Sequence, residues 1–493
     1  MRIKFFCVYN LARPGDHTEL HNIQTMKRIA AFILLLCSII TIYQAKNDIF
    51  AQSVADNGFS ETKANACDSI TPALFSPEET GMNSSTLAGI GSIVKSGMKA
   101  EAFPGCQVFI MKDGKPIYDK CFGYYTYESA QEVKPNTMYD LASLSKTTGT
   151  LLAIMKLYDD GKLGLTDKAS LYLPFLRGTD KEDITITDLL FHESGLPPSI
   201  LCYWQAIEKK DTISCLESIK DTTRIVRTGG KTYKYKENWV SRKPSDEYAL
   251  QVTDSFYLHN RFHQAAMQMI ADTRLRSKTY LYSCINFIVL KEIAETITGT
   301  SMDVFLDSVF YTPMGLKNIC YLPLRTHQKE EIAPTLKKDF LRNGLIQGYV
   351  HDPDAAFLGG VSGNAGLFAS ARDVATVYQM LLNHGELNGK HYLSAETCRL
   401  FTTTTSASGR RGLGFNKPVP SNPELSPCCV SAPQEVYGHT GYTGTCCWVD
   451  PVNGLIYVFL SNRTYPNDEG NKLSKMNIRT DIQEVIYQSM RKK

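Results

Sequence analysis

The first regular pattern of apolar and polar positions in the chain runs over residues 77–98. Leu87, Ile90 and Val94 recur there at the spacing of one helix face, which predicts a helix. The stretch QVFIMKDGKPIYDKCFGYYT follows, with alternating runs on either side of the turn sequence KDGK. Because Asp-Gly is a strong signal for a tight hairpin turn, this stretch predicts a pair of antiparallel strands.

The C-terminal end of the chain repeats this design. CCWVDPVNGLIYVFLSN predicts a second hairpin with its turn at residues 451–454, and IRTDIQEVIYQSM predicts a closing amphipathic helix. The apolar face of a sheet must be buried against another layer. Hairpins and helices at both ends therefore predict one antiparallel sheet covered by terminal helices, which is an α+β fold.

The segment between the two ends is rich in helical patterns. SLSKTTGTLLAIMKLYDDG places Leu151, Ile154 and Tyr158 on one face and ends at Gly161 in the manner of a helix C-cap. INFIVLKEIAETITG shows the same spacing and also ends in glycine. Residues 200–280 are polar and aromatic without a clear period, and we interpret them as an insertion that forms a lid or rim.

Residues 26–51 have the pattern of a secretory signal peptide. MKRIAAFILLLCSIITIY begins with two basic residues after its methionine, continues as an apolar run and is followed by small residues. Because the run is short for a membrane span, we expect export to the periplasm or the cell exterior, with an uncleaved membrane anchor as the alternative. Residues 1–25 are then an over-extended start, residues 52–73 a polar leader and residues 74–493 one folded domain that contains the insertion.

Composition narrows the class of protein. Of 493 residues, 43% are hydrophobic and 21% charged, which is typical of a globular protein with a substantial core. The formal net charge of +3 is too small to indicate a nucleic-acid partner. We expect most of the 14 cysteines to be small buried hydrophobic residues, although an exported protein can form disulfides.

A candidate nucleophile lies in DLASLSKTTGT, where Ser143 precedes Lys146 by three positions. On a helix these two side chains share one face. A serine hydroxyl attacks only when a neighbouring base takes its proton, and a buried lysine near a helix N-terminus can have a pKa low enough to serve. The motif alone is weak, because Ser92 and Lys95 repeat it; the alternative is a helix-capping serine beside a solvated lysine.

Two later stretches supply the remaining candidate residues. In LYSCINF, Tyr282 precedes a predicted helix, where its phenol can enter a cleft as a second proton carrier. In YGHTGYTGT, His439, Thr440 and Gly441 precede an apolar run. A glycine at a strand edge permits the close approach of a substrate backbone, and the N–H of Tyr442 can then point at an oxyanion.

These motifs, in this order, resemble those of the serine β-lactamases and penicillin-binding proteins. The histidine of the third motif is closer to the class C-like serine hydrolases and esterases. FPGCQVFIMKDGKPIYDKCFGYYT, TDLLFHESGLPP and LGGVSGNAGLFASARDVATVYQMLLN extend the resemblance from about residue 74 to the end of the chain. GYVHDPDAAFLGG and the long middle insertion resemble the serine-hydrolase half of some Bacteroidetes proteins that also carry a glycosidase domain.

The resemblance implies a β-lactamase/transpeptidase-like fold. In that fold a mostly helical region is inserted into the α+β part, and the active site lies in the cleft between them. It implies that Ser143 forms an acyl-enzyme and that Lys146 and Tyr282 share the proton transfers, in an order that the sequence leaves open. The resemblance also implies that His439 and Thr440 line the substrate.

By the same resemblance, the backbone N–H groups of Ser143 and Tyr442 form the oxyanion hole. Neither a metal nor an organic cofactor is implied. The expected partner is a small-molecule or peptidoglycan-type substrate, with no nucleic acid and no obligate protein partner.

Two departures from the family pattern affect substrate recognition. Cys284 stands where the family's Tyr-x-Asn motif has asparagine or aspartate, and Asn364 stands where related sequences often have histidine. We carry over Tyr282 but not the asparagine role, since Asn286 should face elsewhere on the following helix. The expected function is an exported serine hydrolase that acts through an acyl-enzyme on a β-lactam, a D-alanyl peptide or a small ester. The alternative is a penicillin-binding or catalytically impaired family member that acts as a binding protein.

Overall fold

The computed structural model describes residues 74–208, 225–228 and 231–490, which all belong to one compact unit spanning residues 72–493. The predicted signal peptide and polar leader lie outside the described residues. Within those ranges, none of the helices combines the length and the apolar character needed to cross a membrane.

The central sheet has five antiparallel strands contributed by the two ends of the chain. In spatial order they are β13 (Tyr437–Gly441), β14 (Thr445–Asp450), β15 (Leu455–Ser461), β1 (Gly105–Lys112) and β2 (Lys115–Gly123). β1 pairs with β15, so the two predicted hairpins join edge to edge. The first hairpin turns at Asp113 (φ +52°) and Gly114 (φ +74°), the left-handed pair that a tight two-residue turn requires.

The other strands of the described residues form four small sheets. They are β3 (Tyr139–Asp140), β9 (Ile319–Tyr321) and β10 (Leu367–Ala369) in one sheet; β4 (Ile225–Thr228) and β5 (Lys231–Lys234) in a second; β6 (Val240–Ser241), β7 (Leu250–Thr253) and β8 (Phe256–Leu258) in a third; and β11 (Glu386–Leu387) and β12 (Lys390–His391) in a fourth.

The α-helices lie before, between and after these strands. They are α1 (Ser84–Leu87), α2 (Gly89–Lys99), α3 (Leu151–Asp159), α4 (Ala169–Tyr172), α5 (Ile186–Phe191), α6 (Phe262–Asp272), α7 (Cys284–Thr298), α8 (Met302–Leu306), α9 (Pro353–Phe357), α10 (Ala371–Leu382), α11 (Ala395–Thr403), α12 (Lys472–Lys475) and α13 (Ile478–Met490).

The helix expected over residues 77–98 is broken into pieces. A 3-10 turn, Pro77–Thr80, ends at Gly81, whose φ of +75° stops the helix. The chain restarts when the side chain of Asn83 accepts the N–H of Thr86 at 2.8 Å, which caps α1. The apolar spacing was correct, but the cap residues within it divide the element.

Two clusters of buried hydrophobic residues lie between the layers of the fold. One lies between the central sheet and the terminal helices and includes Trp448, Phe459, Ile482 and Ile486. The other lies between the opposite face of the sheet and the helical region. The predicted arrangement, an antiparallel sheet with terminal helices and an inserted helical region, is confirmed.

The segment expected to be an insertion contains β4 to β8 and α6 within its described residues. Its start is tied to α9, because the N–H of Cys202 donates to Asp354 Oδ1 at 2.7 Å. The side chain of Asp354 is 4% exposed. The start of the segment therefore contacts α9 and helps to hold it in place.

Candidate active site

Ser143 lies in a strained turn directly after β3. Residues Ala142–Leu144 form a 3-10 turn, and Ala142 has a φ of +47°. This left-handed conformation costs a non-glycine residue about 1–2 kcal/mol, so surrounding contacts must hold it. Asp140 supplies one, since its Oδ1 accepts the Ala142 N–H at 2.8 Å. The turn leaves Ser143 only partly buried, at the surface of a cleft.

Lys146 begins a single π-helical turn, Lys146–Thr150, that continues as α3. Such turns are rare and occur frequently at functional sites. The ammonium is fully buried. It donates to Ser143 Oγ at 3.1 Å and to the carbonyl of Asn364 at 2.9 Å, and it lies 3.5 Å from Cys284 Sγ.

Tyr282 lies just before α7, as predicted, and the centroid of its ring is 5.2 Å from Lys146 Nζ. The side chains of Ser143 and Lys146 both favour the ionised form of its phenol. Its ring is 4.6 Å from the imidazole of His192, measured between centroids. His192 Nδ1 accepts the backbone N–H of Ser283 at 3.1 Å. The contacts of His192 therefore hold the segment that carries Tyr282. Asn286 faces away, as expected, where its Oδ1 accepts the Ser194 hydroxyl at 2.6 Å.

Burial and mutual contacts set the protonation of this centre. Burial disfavours the ammonium of Lys146, but Cys284 and Tyr282 outweigh that effect, so the pKa of Lys146 lies above its ordinary value. Burial raises the pKa of Tyr282 and of Cys284, and this effect exceeds the lowering of each pKa by the charge of Lys146. The lowered lysine pKa expected from the motif is therefore wrong in direction. At neutral pH the centre holds an ammonium, a neutral phenol and a neutral thiol.

The other candidate residues lie along β13, on the edge strand of the central sheet. The imidazole of His439 is 2% exposed and lies 6.0 Å from the ring of Tyr282. Burial and the charges of Arg411 and Lys146 hold the pKa of His439 well below its usual range. Thr440 is half-buried.

Tyr442 follows β13 at the mouth of the cleft, with 52% of its surface exposed. Its ring is stacked on His351 at 5.5 Å and lies 4.3 Å from the guanidinium of Arg463. The structure thus brings all seven candidate residues to one site.

Gly441 is required by the packing of β13 itself. A Cβ at this position would lie 2.3 Å from the Leu141 carbonyl and 2.0 Å from Thr445 Oγ1. Thr445 Oγ1 itself donates to the Leu141 carbonyl at 2.9 Å. The space beside Gly441 is therefore filled by the Ser143 turn, and the glycine lets β13 pack against that turn.

The cleft beside Ser143 has a volume of about 450 Å³. Its walls come from the Ser143 turn, from residues 336–340 and 351–353, and from residues 467–469 after β15. The described part of the expected insertion contributes no lining residue. Four carboxylates line the cleft, together with one lysine: Asp339, Asp352, Asp468 and Glu469, with Lys338.

Two contributors to the site escaped prediction from the sequence. Asp140 holds both the Ser143 turn and the cleft wall, since its Oδ2 accepts the N–H of His351 at 2.6 Å. Asn364 acts through its backbone carbonyl on Lys146, and its side chain donates to Asp352 Oδ1 at 3.0 Å. The sequence analysis did note Asn364 in the GNAGLF block. It could not show that the backbone carbonyl binds Lys146, because every residue type has that carbonyl.

Known proteins resemble this chain in sequence and in fold. The β-lactamase family matches residues 90–476 of this chain. A Bacillus subtilis (strain 168) protein named N-acetylmuramyl-L-alanine amidase is 28% identical over 469 residues, covering 89% of this chain and 92% of the relative. An Escherichia coli O157:H7 protein named as a D-alanyl-D-alanine carboxypeptidase is 30% identical over 421 residues, covering 79% and 85%.

Among solved structures, EstCE1, a hydrolase with promiscuous acyltransferase activity, shares the fold with a TM-score of 0.58. It is 19% identical, and the match covers 82% of this chain and 99% of EstCE1. The predicted β-lactamase/transpeptidase-like fold is confirmed. With the family match extending over most of the folded unit, this chain belongs to the β-lactamase family and is a serine hydrolase of that family.

Proposed function

We propose that the protein is an exported serine hydrolase that cleaves an amide of the D-alanyl peptide type through an acyl-enzyme on Ser143. The observation that carries this proposal is that Ser143, which lines the cleft, lies 3.1 Å from the ammonium of Lys146, which in turn lies 5.2 Å from the centroid of the Tyr282 ring. A nucleophile within hydrogen-bond reach of one proton carrier, with a second beside that carrier, is an arrangement suited to acyl transfer.

The first half-reaction forms the acyl-enzyme. Lys146 and Tyr282 act as one coupled base, which must lose a proton before it can accept one. Ser143 Oγ attacks the substrate carbonyl while its proton passes to the Tyr282 oxygen. The backbone N–H groups of Ser143 and Tyr442 stabilise the oxyanion. The proton then moves to the leaving amine, the C–N bond breaks, and the acyl group remains on Ser143.

The second half-reaction returns the free enzyme. A water molecule gives its proton to the same pair and attacks the ester carbonyl, and the Ser143 oxygen recovers a proton as it leaves. Lys146 remains an ammonium held by the Asn364 carbonyl throughout, so it orients the pair and lowers the cost of negative charge on Tyr282. His439 and Thr440 line the substrate along β13.

The substrate class rests on the relatives and on the cleft. Relatives named for D-alanyl-D-alanine and N-acetylmuramyl-L-alanine bonds support a peptide amide. A cleft of about 450 Å³ with an open mouth at Tyr442 has room for such a peptide. The signal-peptide pattern of residues 26–51 supports export to the compartment in which these peptides occur.

A second candidate, a penicillin-binding protein with slow turnover, is favoured by one contact. Cys284 places a thiol 3.5 Å from Lys146, and a thiol is a weaker hydrogen-bonding group than the amide of asparagine. Poorer orientation of a bound acyl group would slow its release.

The test compares the protein with two serine variants. Two probes are incubated with wild type, Ser143→Ala and Ser92→Ala: a labelled penicillin and a fluorophosphonate, whose phosphorus bonds to a serine oxygen while fluoride leaves. Ser92 is the matched control, because it begins the other Ser-x-x-Lys of this chain and lies exposed on α2. We expect labelling of wild type and Ser92→Ala alone.

Turnover assays with a D-alanyl-D-alanine peptide, nitrocefin and a chromogenic ester follow. Release of D-alanine that Ser143→Ala lacks supports the first candidate. A lasting penicillin adduct without release of any product supports the second, and equal labelling of Ser143→Ala contradicts both.

A further inference from the structure

Arg411 is a buried arginine near the catalytic centre that has no carboxylate partner among the described residues. It is 1% exposed, and its Nη2 donates to the Gly414 carbonyl at 3.0 Å. Its Nε and Nη1 are buried without an acceptor in the described part of the chain. Because a buried unpaired charge costs several kcal/mol, this arginine requires an explanation.

The loop that carries Arg411 lies against β13. The N–H of Asn416 donates to the Gly438 carbonyl at 2.8 Å, one residue before His439. This places the Arg411 guanidinium carbon 5.9 Å from the centroid of the Tyr282 ring. Lys146 Nζ lies 5.2 Å from the same centroid. Two buried cations therefore face the one phenol.

Neither neighbouring imidazole is a third cation. His192 accepts the Ser283 N–H at Nδ1, so its proton is on Nε2; His439 Nδ1 lies 2.6 Å from the Thr440 carbonyl, so its proton is on Nδ1. Both rings are buried. Burial is the main cause, and the charge of Arg411 the second, that holds the pKa of each imidazole well below its usual range.

The remaining titratable groups around Tyr282 and Arg411 do not neutralise the guanidinium. The Cys284 thiol is neutral, since burial raises its pKa. The charge of Asp352 acts on Lys146 and Cys284. The groups that act on Arg411 are the phenols of Tyr280 and Tyr282 and the like charge of Arg410.

We propose that Arg411 is a positioning residue for proton transfer: its buried guanidinium holds the Tyr282 ring and stabilises the negative charge that the Tyr282 oxygen carries before it accepts the Ser143 proton. This inference rests on the proposed function and adds to it the source of that stabilisation. A cation that is desolvated near an aromatic ring is attracted to its face, and it attracts the phenolate more strongly still. The cost of burying Arg411 unpaired in the resting enzyme is offset when Tyr282 ionises.

The sign of the effect follows from the charges. Removing Arg411 destabilises the phenolate and leaves the neutral phenol little changed, so the pKa of the coupled Lys146 and Tyr282 pair rises. The serine is activated only after that pair loses a proton. The alkaline rise of the acylation rate must therefore move to higher pH.

The first experiment measures the rate of fluorophosphonate labelling from pH 6 to 10 in wild type, Arg411→Gln, Arg411→Lys and Arg410→Gln. Arg411→Gln is expected to label about tenfold more slowly at pH 7.5, with a midpoint about one pH unit higher. Arg411→Lys and the matched control Arg410→Gln, which removes the adjacent charge, should keep the wild-type midpoint. A purely structural role predicts slower labelling with an unshifted midpoint, and that result would overturn the inference.

Circular dichroism checks that each variant is folded. If Arg411→Gln does not fold, Arg411→Lys decides, because a displaced midpoint in a variant that keeps the charge contradicts the inference.

The second experiment titrates Tyr282 directly and needs no enzymatic activity. Tyrosinate absorbance near 295 nm is followed against pH in wild type and Tyr282→Phe, and the difference reports Tyr282. The same pair is measured in the Arg411→Gln background, where the difference should appear at higher pH. Equal midpoints in the two backgrounds would overturn the role of Arg411. An unlabelled wild type with shifted midpoints would instead overturn the proposed function alone.

Discussion

Asp140 is the residue whose charge joins the nucleophile to the wall of the cleft. Burial raises its pKa to about 6, although the N–H groups of His351 and Ala142 favour the ionised form. Above that pH both carboxylate oxygens accept a backbone N–H. Below it, one oxygen carries a proton and accepts less well, so the strained Ala142 turn loses support. We predict that the rate of labelling at Ser143 falls as the pH is lowered through about 6.

The substitution Asp140→Asn tests this link by fixing the neutral form. Losing one charge-assisted hydrogen bond of about 1.5–3 kcal/mol should slow labelling at least about tenfold at pH 7. It should also abolish the additional fall in rate near pH 6, which leaves only the dependence on pH that the Lys146 and Tyr282 pair sets. The stability effect has the opposite sign. The pKa is higher in the folded than in the unfolded state, so this group lowers stability as pH rises from about 4 to 6, and urea titrations of the variant should lack that decline. If Asp140→Asn still shows the wild-type fall in labelling rate near pH 6, another titrating group causes that fall.

Single residues differ in how far the sequence reveals them. The proximity of Ser143, Lys146 and Tyr282 was predictable because nucleophilic chemistry restricts residue type and the order of the motifs restricts position. Asp140 and the Asn364 carbonyl were not, since their roles depend on contacts between segments distant in sequence. The net pKa of Lys146 was mispredicted because its partners Cys284 and Tyr282 come from another element.

At the scale of elements, β13 and the Ser143 turn act as one unit through Gly441. Any side chain there meets the Leu141 carbonyl and Thr445 Oγ1 well inside contact distance. Gly441→Ala must therefore move β13 or the turn by about an ångström. A displacement of that size costs about 100-fold in a reaction that needs exact alignment. We predict that loss in the rate of fluorophosphonate labelling, with a lowered Tm.

Gly89→Ala is the matched control for this prediction. Gly89 begins α2, and a Cβ there meets nothing within 4 Å. Alanine in a helix is favoured over glycine by about 1 kcal/mol, so the control should label normally with an unchanged or higher Tm. Normal labelling of Gly441→Ala would show that β13 and the turn move independently.

Elements were predictable where a local signal determines them. The hairpins were, because Asp113 and Gly114 adopt the left-handed pair that their sequence favours. The division of the first helix at Gly81 and the π-turn Lys146–Thr150 were not. A π-turn shifts the helical period by one residue over a single turn, which is too short a stretch for the spacing of apolar residues to reveal.

At the scale of the whole molecule, the two ends of the chain meet in one sheet. β1 pairs with β15 across more than 300 residues of intervening chain, from Cys106 opposite Ser461 to Lys112 opposite Leu455. The sequence predicted this closure because each hairpin has an apolar face that it cannot bury alone. It did not predict the walls of the cleft, which come from residues 336–340, 351–353 and 467–469 and not from the described part of the expected insertion. The helical region and its catalytic turn are thus held by a sheet that only the complete unit can form.

This dependence predicts that a core change remote from the cleft unfolds the active site together with the sheet. Ile486 on α13 is fully buried against the central sheet, in the cluster that Ser143 does not touch. Ile486→Ala should lower the free energy of unfolding by about 2–5 kcal/mol, whereas Gln488→Ala, at an exposed position of the same helix, should change it by less than about 0.5 kcal/mol. Urea unfolding followed by circular dichroism and by loss of labelling at Ser143 should give one shared midpoint in each protein, lower in Ile486→Ala. Labelling that survives beyond the dichroism midpoint would show that the helical region keeps its site without the sheet.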